Sequence, residues 1–236
     1  MKKFTDHIYY MDNNPETDQP YIYLIHGSKM NLQIDAGNSP DNYHKFLSEV
    51  KELGLKEPKL LAITHWHWDH TFGMVACNVP MIASVKTNVY LKRVKNWEWT
   101  EEAMQERLKT GEDIHFCYDC MHKQYADIGM IQVREADITF DSEIVIDLGD
   151  IHVKGIHIDT PHTRDAVLYY VEEEKVLIAA DAEYEDYYDN NSQYDPARLA
   201  SFIQFLEKLD FVYYLRGHDD FKLTKDEILN KLKAAM

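Results

Sequence analysis

Between positions 64 and 70 the chain reads Thr64-His65-Trp66-His67-Trp68-Asp69-His70. Four potential metal ligands fall within six positions, directly after an apolar run at 59–64 that reads as a strand. In an extended chain side chains alternate sides, so His65 and His67 point the same way. Asp69 and His70 follow where the strand gives way to a loop or helix start, and they face a second point nearby. Imidazole nitrogens and carboxylate oxygens so disposed suit two cations a few ångströms apart. With 12 histidines in 236 residues, chance placement of three His and one Asp at these positions is a roughly 0.3% event per chain. The segment is therefore read as a metal-ligand motif. One cluster cannot complete two metal shells, so the fold must bring further ligands to the same rim.

Three residues stand in suitable places. His162, in Thr160-Pro161-His162-Thr163, follows a strand pattern at 151–158. Asp181 follows the apolar run 176–180, and His218, in Arg216-Gly217-His218-Asp219, follows a run at 212–215. Any one alone reads as a surface histidine or loop aspartate. Together, each at the end of a strand, they read as ligands.

The remaining pattern alternates strands and helices. Runs at 21–25 and 30–34 read as paired strands around Gly27-Ser28. Ser39-Pro40 caps a helix carrying Phe46, Leu47, Val50 and Leu53, which Gly54 ends. A short strand follows at 79–84. Residues 86–135 read as helical, with Val89, Tyr90, Val94 and Trp97 on one side, a helix start at Thr100-Glu101-Glu102 and a stop at Gly111. This stretch has too few apolar residues for its own core, so it reads as an insertion into one domain spanning 1–236. From Ile138 onward strands recur at 143–147, 151–158, 167–171 and 175–180. Asp195-Pro196 opens a helix with Leu199, Ile203, Leu206 and Leu209. Thr224-Lys225-Asp226-Glu227 reads as the capping box of a last helix. The fold class is α/β (α+β), with two sheets packed together and helices outside.

Composition narrows the partners. The formal net charge is −16, a field that opposes nucleic acid and anionic membranes, which recruit basic surfaces. Apolar residues at 45% and aromatics at 12% exclude a disordered chain. No apolar stretch follows Lys2-Lys3, so no signal peptide is read. The run 176–180 is far too short to span a bilayer. Cys77, Cys117 and Cys120 are too few, and odd in number, for a disulfide framework. These features predict a cytoplasmic protein with a small-molecule substrate, no membrane and no long nucleic acid. The oligomeric state is open, a homodimer included.

In their order and spacing these motifs resemble the metallo-β-lactamase fold superfamily over nearly the whole chain. Ile34-Asp35-Ala36-Gly37 resembles the family's early aspartate motif, the HxHxDH motif stands at 65–70, and His162, Asp181 and His218 follow. The resemblance implies a four-layer αββα sandwich of two mixed sheets with metals at one edge. His65, His67 and His162 would hold one metal. Asp69, His70 and His218 would hold the other, with Asp181 bridging and Asp35 ordering the ligand loop. Two divalent ions are expected, zinc first, with manganese or iron accepted by the same donors. The implied activity is hydrolysis of a small ester, lactone or thioester by a metal-bridging hydroxide. The alternative is a phosphodiesterase acting on a small phosphodiester or RNA; a β-lactamase or a mononuclear iron sulfur dioxygenase ranks below both. β-Lactamases of the commonest subclass carry cysteine at the position of Asp181. An aspartate there resembles the hydroxyacylglutathione hydrolase, lactonase and phosphodiesterase branches. Tyr184, three residues after Asp181, resembles a tyrosine of acyl-homoserine lactonases that hydrogen-bonds the substrate carbonyl. The alternative is a rim tyrosine in a chain with 16 of them. In the same branch an aspartate placed as Asp69 helps protonate the leaving group.

Other residues have two readings each. Trp66, Trp68, Trp97, Trp99, Tyr187, Tyr188 and Tyr194 either wall an apolar pocket or pack the insertion onto the sandwich. Arg164 either holds an anionic substrate group or makes a surface ion pair. The cluster from His115 to His122, with Cys117 and Cys120, is too tightly spaced for a structural zinc site and reads as packing.

Overall fold

The computed structural model describes residues 1–190 and 192–236. The first sheet takes its strands in chain order: β1 (Lys2–Lys3), β2 (Ile8–Met11), β3 (Ile22–His26), β4 (Asn31–Ile34), β5 (Leu60–Ala62), β6 (Met81–Ser84) and β7 (Ile138–Phe140). Pairing is antiparallel up to β4 and parallel beyond it. The second sheet contains β8 (Glu143–Asp147), β9 (His152–His157), β10 (Val167–Val171), β11 (Val176–Ala180), β12 (Tyr213–Arg216) and β13 (Lys222–Thr224), in the order β13-β12-β11-β10-β9-β8. Among the described residues only β11 and β12 pair in parallel there. Both sheets are therefore mixed.

The continuous apolar runs fill two interfaces at once, because strand side chains alternate. Val167, Tyr169 and Val171 of β10 face the first sheet, beside Tyr23, Ile25 and Ile34. Leu168 and Tyr170 face outward onto helices α6 (Pro196–Lys208) and α7 (Lys225–Ala234). On the other side Ile22 and Leu24 of β3 pack under Phe46 and Val50 of α1 (Pro40–Glu52). The result is helix, sheet, sheet, helix. Helix ends follow their caps. The Ser39 side chain accepts from the Asn42 N–H, Asp195 accepts at the start of α6, and Thr224 with Glu227 completes the capping box of α7. Gly54 takes φ +71 just past α1, a conformation only glycine adopts freely.

The 86–135 stretch forms α3 (Val85–Val94), α4 (Glu101–Thr110) and α5 (His115–Gln124), after the short α2 (Trp68–Thr71). Their buried residues Leu91, Met104, Cys117, Cys120 and Met121 share one apolar cluster with Leu61, Met81 and Ala83 of the first sheet. One expectation is corrected here. Val89 is 65% exposed; Thr87, Leu91 and Val94 form the buried face of α3. Val89 lies two residues from both Thr87 and Leu91, on the far side of a 3.6-residue turn. Trp66 stacks on Tyr90 at 5.3 Å, and Arg107 lies 4.5 and 4.9 Å from the Trp97 and Trp99 rings. The four tryptophans are thus packing residues. Among the described residues no helix is long and apolar enough to cross a membrane.

Candidate metal centre

The sheet topology brings the ligands together. β4 and β5 run parallel. In the second sheet β9 and β11 both run antiparallel to β10, and β12 runs parallel to β11. The segments after β5, β9, β11 and β12 therefore leave one rim. Two contacts tie the sheets there: the Val167 N–H donates to the Thr64 carbonyl at 2.7 Å, and the Tyr21 N–H donates to the Gly217 carbonyl at 2.7 Å.

Asp35 organises the rim. Its φ is +63, a conformation that costs a non-glycine residue on the order of 1–2 kcal/mol. Its buried carboxylate accepts from the Thr64 N–H and the Thr64 hydroxyl, both at 2.8 Å, and from His70 Nδ1 at 2.7 Å. Three hydrogen bonds thereby fix where β5 hands over to the ligand loop. Asp165 does the same from the second sheet, accepting from the Trp66 N–H at 2.9 Å and the Thr163 hydroxyl at 2.5 Å.

Two ligand groups result, His65 with His67 and His162, and Asp69 with His70, Asp181 and His218. The donor atoms within each group lie no more than 4.8 Å apart. His67 Nδ1 stands 2.9 Å from His162 Nε2. His162 Nδ1 donates to the Glu185 carbonyl at 2.8 Å, which leaves its Nε2 lone pair aimed at His67. Asp69 Oδ2 is 3.0 Å from His70 Nε2 and 3.1 Å from His218 Nε2. Asp181 Oδ2 is 3.3 Å from His70 Nε2 and 3.5 Å from His218 Nε2, and 3.8 and 4.0 Å from the Nε2 atoms of His162 and His65. One oxygen therefore reaches both groups.

A bend in the strand aims that oxygen. The β11–β12 register shifts between Ile178 and Ala180, and Ala180 takes φ +48, turning Asp181 out of the ladder. Gly217 leaves room for it, since a Cβ there would stand 2.0 Å from Asp181 Oδ1.

The donor set fits a cation. His65 Nε2 and Asp181 Oδ1 are buried without a hydrogen-bond partner, although buried polar atoms are normally satisfied. Burial, with the neighbouring imidazoles, holds His65 and His67 well below the ordinary histidine range. Burial opposes charge on His70 and His218 too, but Asp69 and Asp181 outweigh it and raise both. The same pairing lowers Asp69 and Asp181 against their own burial. Neutral His65 and His67 and ionised Asp69 and Asp181 are the forms that bind metal, and His70 and His218 would each give up a proton to a cation taking its place.

All seven sequence-predicted ligands thus converge. In front of them lies a cavity of about 870 Å³ whose lining includes Asp18, Ile114, Phe116, Tyr184, Tyr187, Tyr188 and Asp219. The Tyr184 hydroxyl donates to Asp219 Oδ2 at 2.9 Å and accepts from Arg216 Nη2 at 3.1 Å. Arg216 is itself buried against Glu183. Tyr194 donates to the Glu183 carbonyl and packs away from the cavity. Arg164 is exposed and outside the cavity lining; among the described residues it makes no ion pair. Asp18 was missed by sequence reasoning. It comes from a polar turn with φ +56, and its partly buried carboxyl is raised to about 7 by desolvation and by Asp69. Asp165 had a signal, the His-Thr-x-Asp spacing from His162, but no role attached to it.

Residues 15–218 match the family described as the metallo-beta-lactamase superfamily, and the chain belongs to that superfamily of metal-dependent hydrolases. No curated protein matches it in sequence. Solved structures share the fold at low identity. A metallo-beta-lactamase from Pontibacter korlensis is similar at 16% identity and TM-score 0.64, over 98% of this chain and 96% of that one. A metallo-beta-lactamase family protein from Thermus thermophilus is similar at 16% identity and TM-score 0.67, over 98% and 79%. An archaeal superfamily protein from Sulfolobus tokodaii is similar at 16% and 0.63, over 98% and 86%.

Proposed function

We propose that this protein is a dinuclear metal-dependent hydrolase of a small ester, lactone or thioester. The observation that carries this reading is the position of Asp181 Oδ2, within 4.0 Å of donor nitrogens in both ligand groups. His65, His67 and His162 would hold one ion, and Asp69, His70 and His218 the other, with zinc the expected metal. Bound there, divalent cations supply an activated water near neutral pH and polarise the oxygen of the bond under attack. The chain's own residues do the rest. Asp35 and the Glu185 carbonyl hold His70 and His162 in the tautomers that present Nε2. Asp69 sits at the cavity wall, where it accepts the proton of the attacking water and passes it to the leaving group. Tyr184 offers its hydroxyl beside His162 and His218, exchanging Asp219 for a substrate carbonyl as acceptor. Burial and the nearby Glu183 and Asp181 raise its pKa, so it acts as a neutral donor.

The test is a hydrolysis screen of metal-loaded protein over lactones, thioesters, phosphodiesters and β-lactams. Ester, lactone or thioester turnover that His65→Ala abolishes supports the reading. Turnover of phosphodiesters alone would replace it with the second reading of the same centre.

A further inference from the structure

The cavity wall beyond the ligands has a consistent chemistry. Ile114, Phe116, Tyr187 and Tyr188 supply apolar and aromatic surface, and the acidic side chains there are Asp18 and Asp219. Among the described residues no lysine or arginine lines it. The cations around Tyr184 are engaged by other groups. Arg216 donates to Glu183, Asp219 and the Tyr184 hydroxyl, and Lys231 lies over the Tyr184 ring at 5.3 Å. Phe116, 56% exposed, and Tyr187, 36% exposed, stand where a ligand enters.

We propose that this cavity selects neutral substrates with an apolar or aromatic arm and rejects arms carrying a carboxylate or phosphate, with Asp18, Phe116 and Tyr187 as specificity residues. The proposal rests on the hydrolase reading above for the reaction itself. The physical argument concerns the arm. Away from the metal ligands, an anion on the arm would meet ring faces and two acidic side chains, with no lysine or arginine on the lining to replace the water it loses. The chain's net charge of −16 acts in the same direction. An apolar arm gains burial on the same wall, and the volume of about 870 Å³ exceeds what an acetyl group fills. Nucleotides whose far end carries a terminal phosphate fall on the rejected side.

The test uses four phenyl esters on the metal-loaded enzyme: acetate, hexanoate, the monoester of adipate, and the chain of the same length ending in trimethylammonium. The expected kcat/KM for hexanoate exceeds that for adipate by about tenfold or more, and the ammonium ester is not below adipate. Asp18→Asn, with metal content checked, narrows the gap between hexanoate and adipate. Phe116→Ala, at an exposed position, lowers hexanoate turnover more than acetate turnover. Dissociation constants of the matching N-phenyl amides, by calorimetry, read the arm without turnover. If no ester is hydrolysed and the amides keep the ranking, the reaction assignment fails and the cavity assignment stands. Adipate equal to or above hexanoate in kcat/KM, or in amide affinity where no ester turns over, overturns the proposal.

Discussion

Gly217→Ala perturbs the bridging carboxylate with one methyl group. The new Cβ would stand 2.0 Å from Asp181 Oδ1 and 3.2 Å from His70 Cε1. Heavy atoms do not approach a Cβ closer than 3.0 Å, so one partner must move by about 1 Å, a displacement that lowers rates on the order of 10²-fold. The backbone cannot yield easily. The Gly217 N–H donates to the Ala180 carbonyl at 2.9 Å, and its carbonyl accepts from Tyr21 at 2.7 Å. Asp181 therefore retreats from His70 and His218. Overpacking of this kind costs about 1–3 kcal/mol, which lowers Tm by roughly 10 °C at most in a chain of this size. The variant stays folded while its metal site loosens. Metal content after dialysis and kcat/KM on the best ester are the assays. A variant with parental metal content and parental kcat/KM would refute the reasoning, since Asp181 would then need no fixed position.

Other substitutions read other parts of the site. Asp35→Asn removes the charge beside His70 Nδ1 and should weaken zinc affinity about 10–100-fold, measured against a chromophoric chelator; unchanged affinity would contradict the role given to Asp35. Tyr184→Phe should lower kcat about tenfold with metal content unchanged; steady-state kinetics beside metal analysis checks it. Burial raises the Asp113 carboxyl to about 6, above its unfolded value near 4. The folded state then binds the proton more tightly, so this group's effect on stability worsens as pH rises from about 4 to 6 and is level above. Asp113→Asn keeps an acceptor for the Ile114 N–H and should stabilise by about 2 kcal/mol at pH 7 but little at pH 4. Equal denaturation shifts at both pH values would sink that argument.

The convergence of the seven candidate ligands was legible because four stand together in one motif and the other three each follow an apolar run. His65 and His67 lie in the short segment between β5 and α2, two residues apart, and the segments that leave β9, β11 and β12 carry His162, Asp181 and His218 to the same rim. Caps were legible for a similar reason, since Ser39, Asp195 and Thr224 act within three residues of themselves. What failed was long-range or poorly phased. Val89 was placed on the buried face because α3 carries apolar residues on more than one side, and Arg93, over the Trp66, Tyr90 and Trp97 rings at 5.5–5.8 Å, does part of the packing that an aliphatic residue does elsewhere. The aromatic residues near the motif could not be sorted by sequence, because a wall and a core use the same rings. The fold sorts them: Tyr187 and Tyr188 face the cavity, and the tryptophans face the insertion. Asp18 had no signal, because its turn has no periodicity and its partner His218, 3.9 Å away, is 200 residues further along the chain.

The decisive number is the count of divalent ions per chain, read by native mass spectrometry or elemental analysis on protein loaded with zinc and dialysed. Two ligand groups sharing Asp181 predict about two ions per chain, falling to about one in His67→Ala, which disables only the group of His65, His67 and His162. A parental protein that saturates at a single ion, or one that hydrolyses its substrate fully with none, would contradict the dinuclear account.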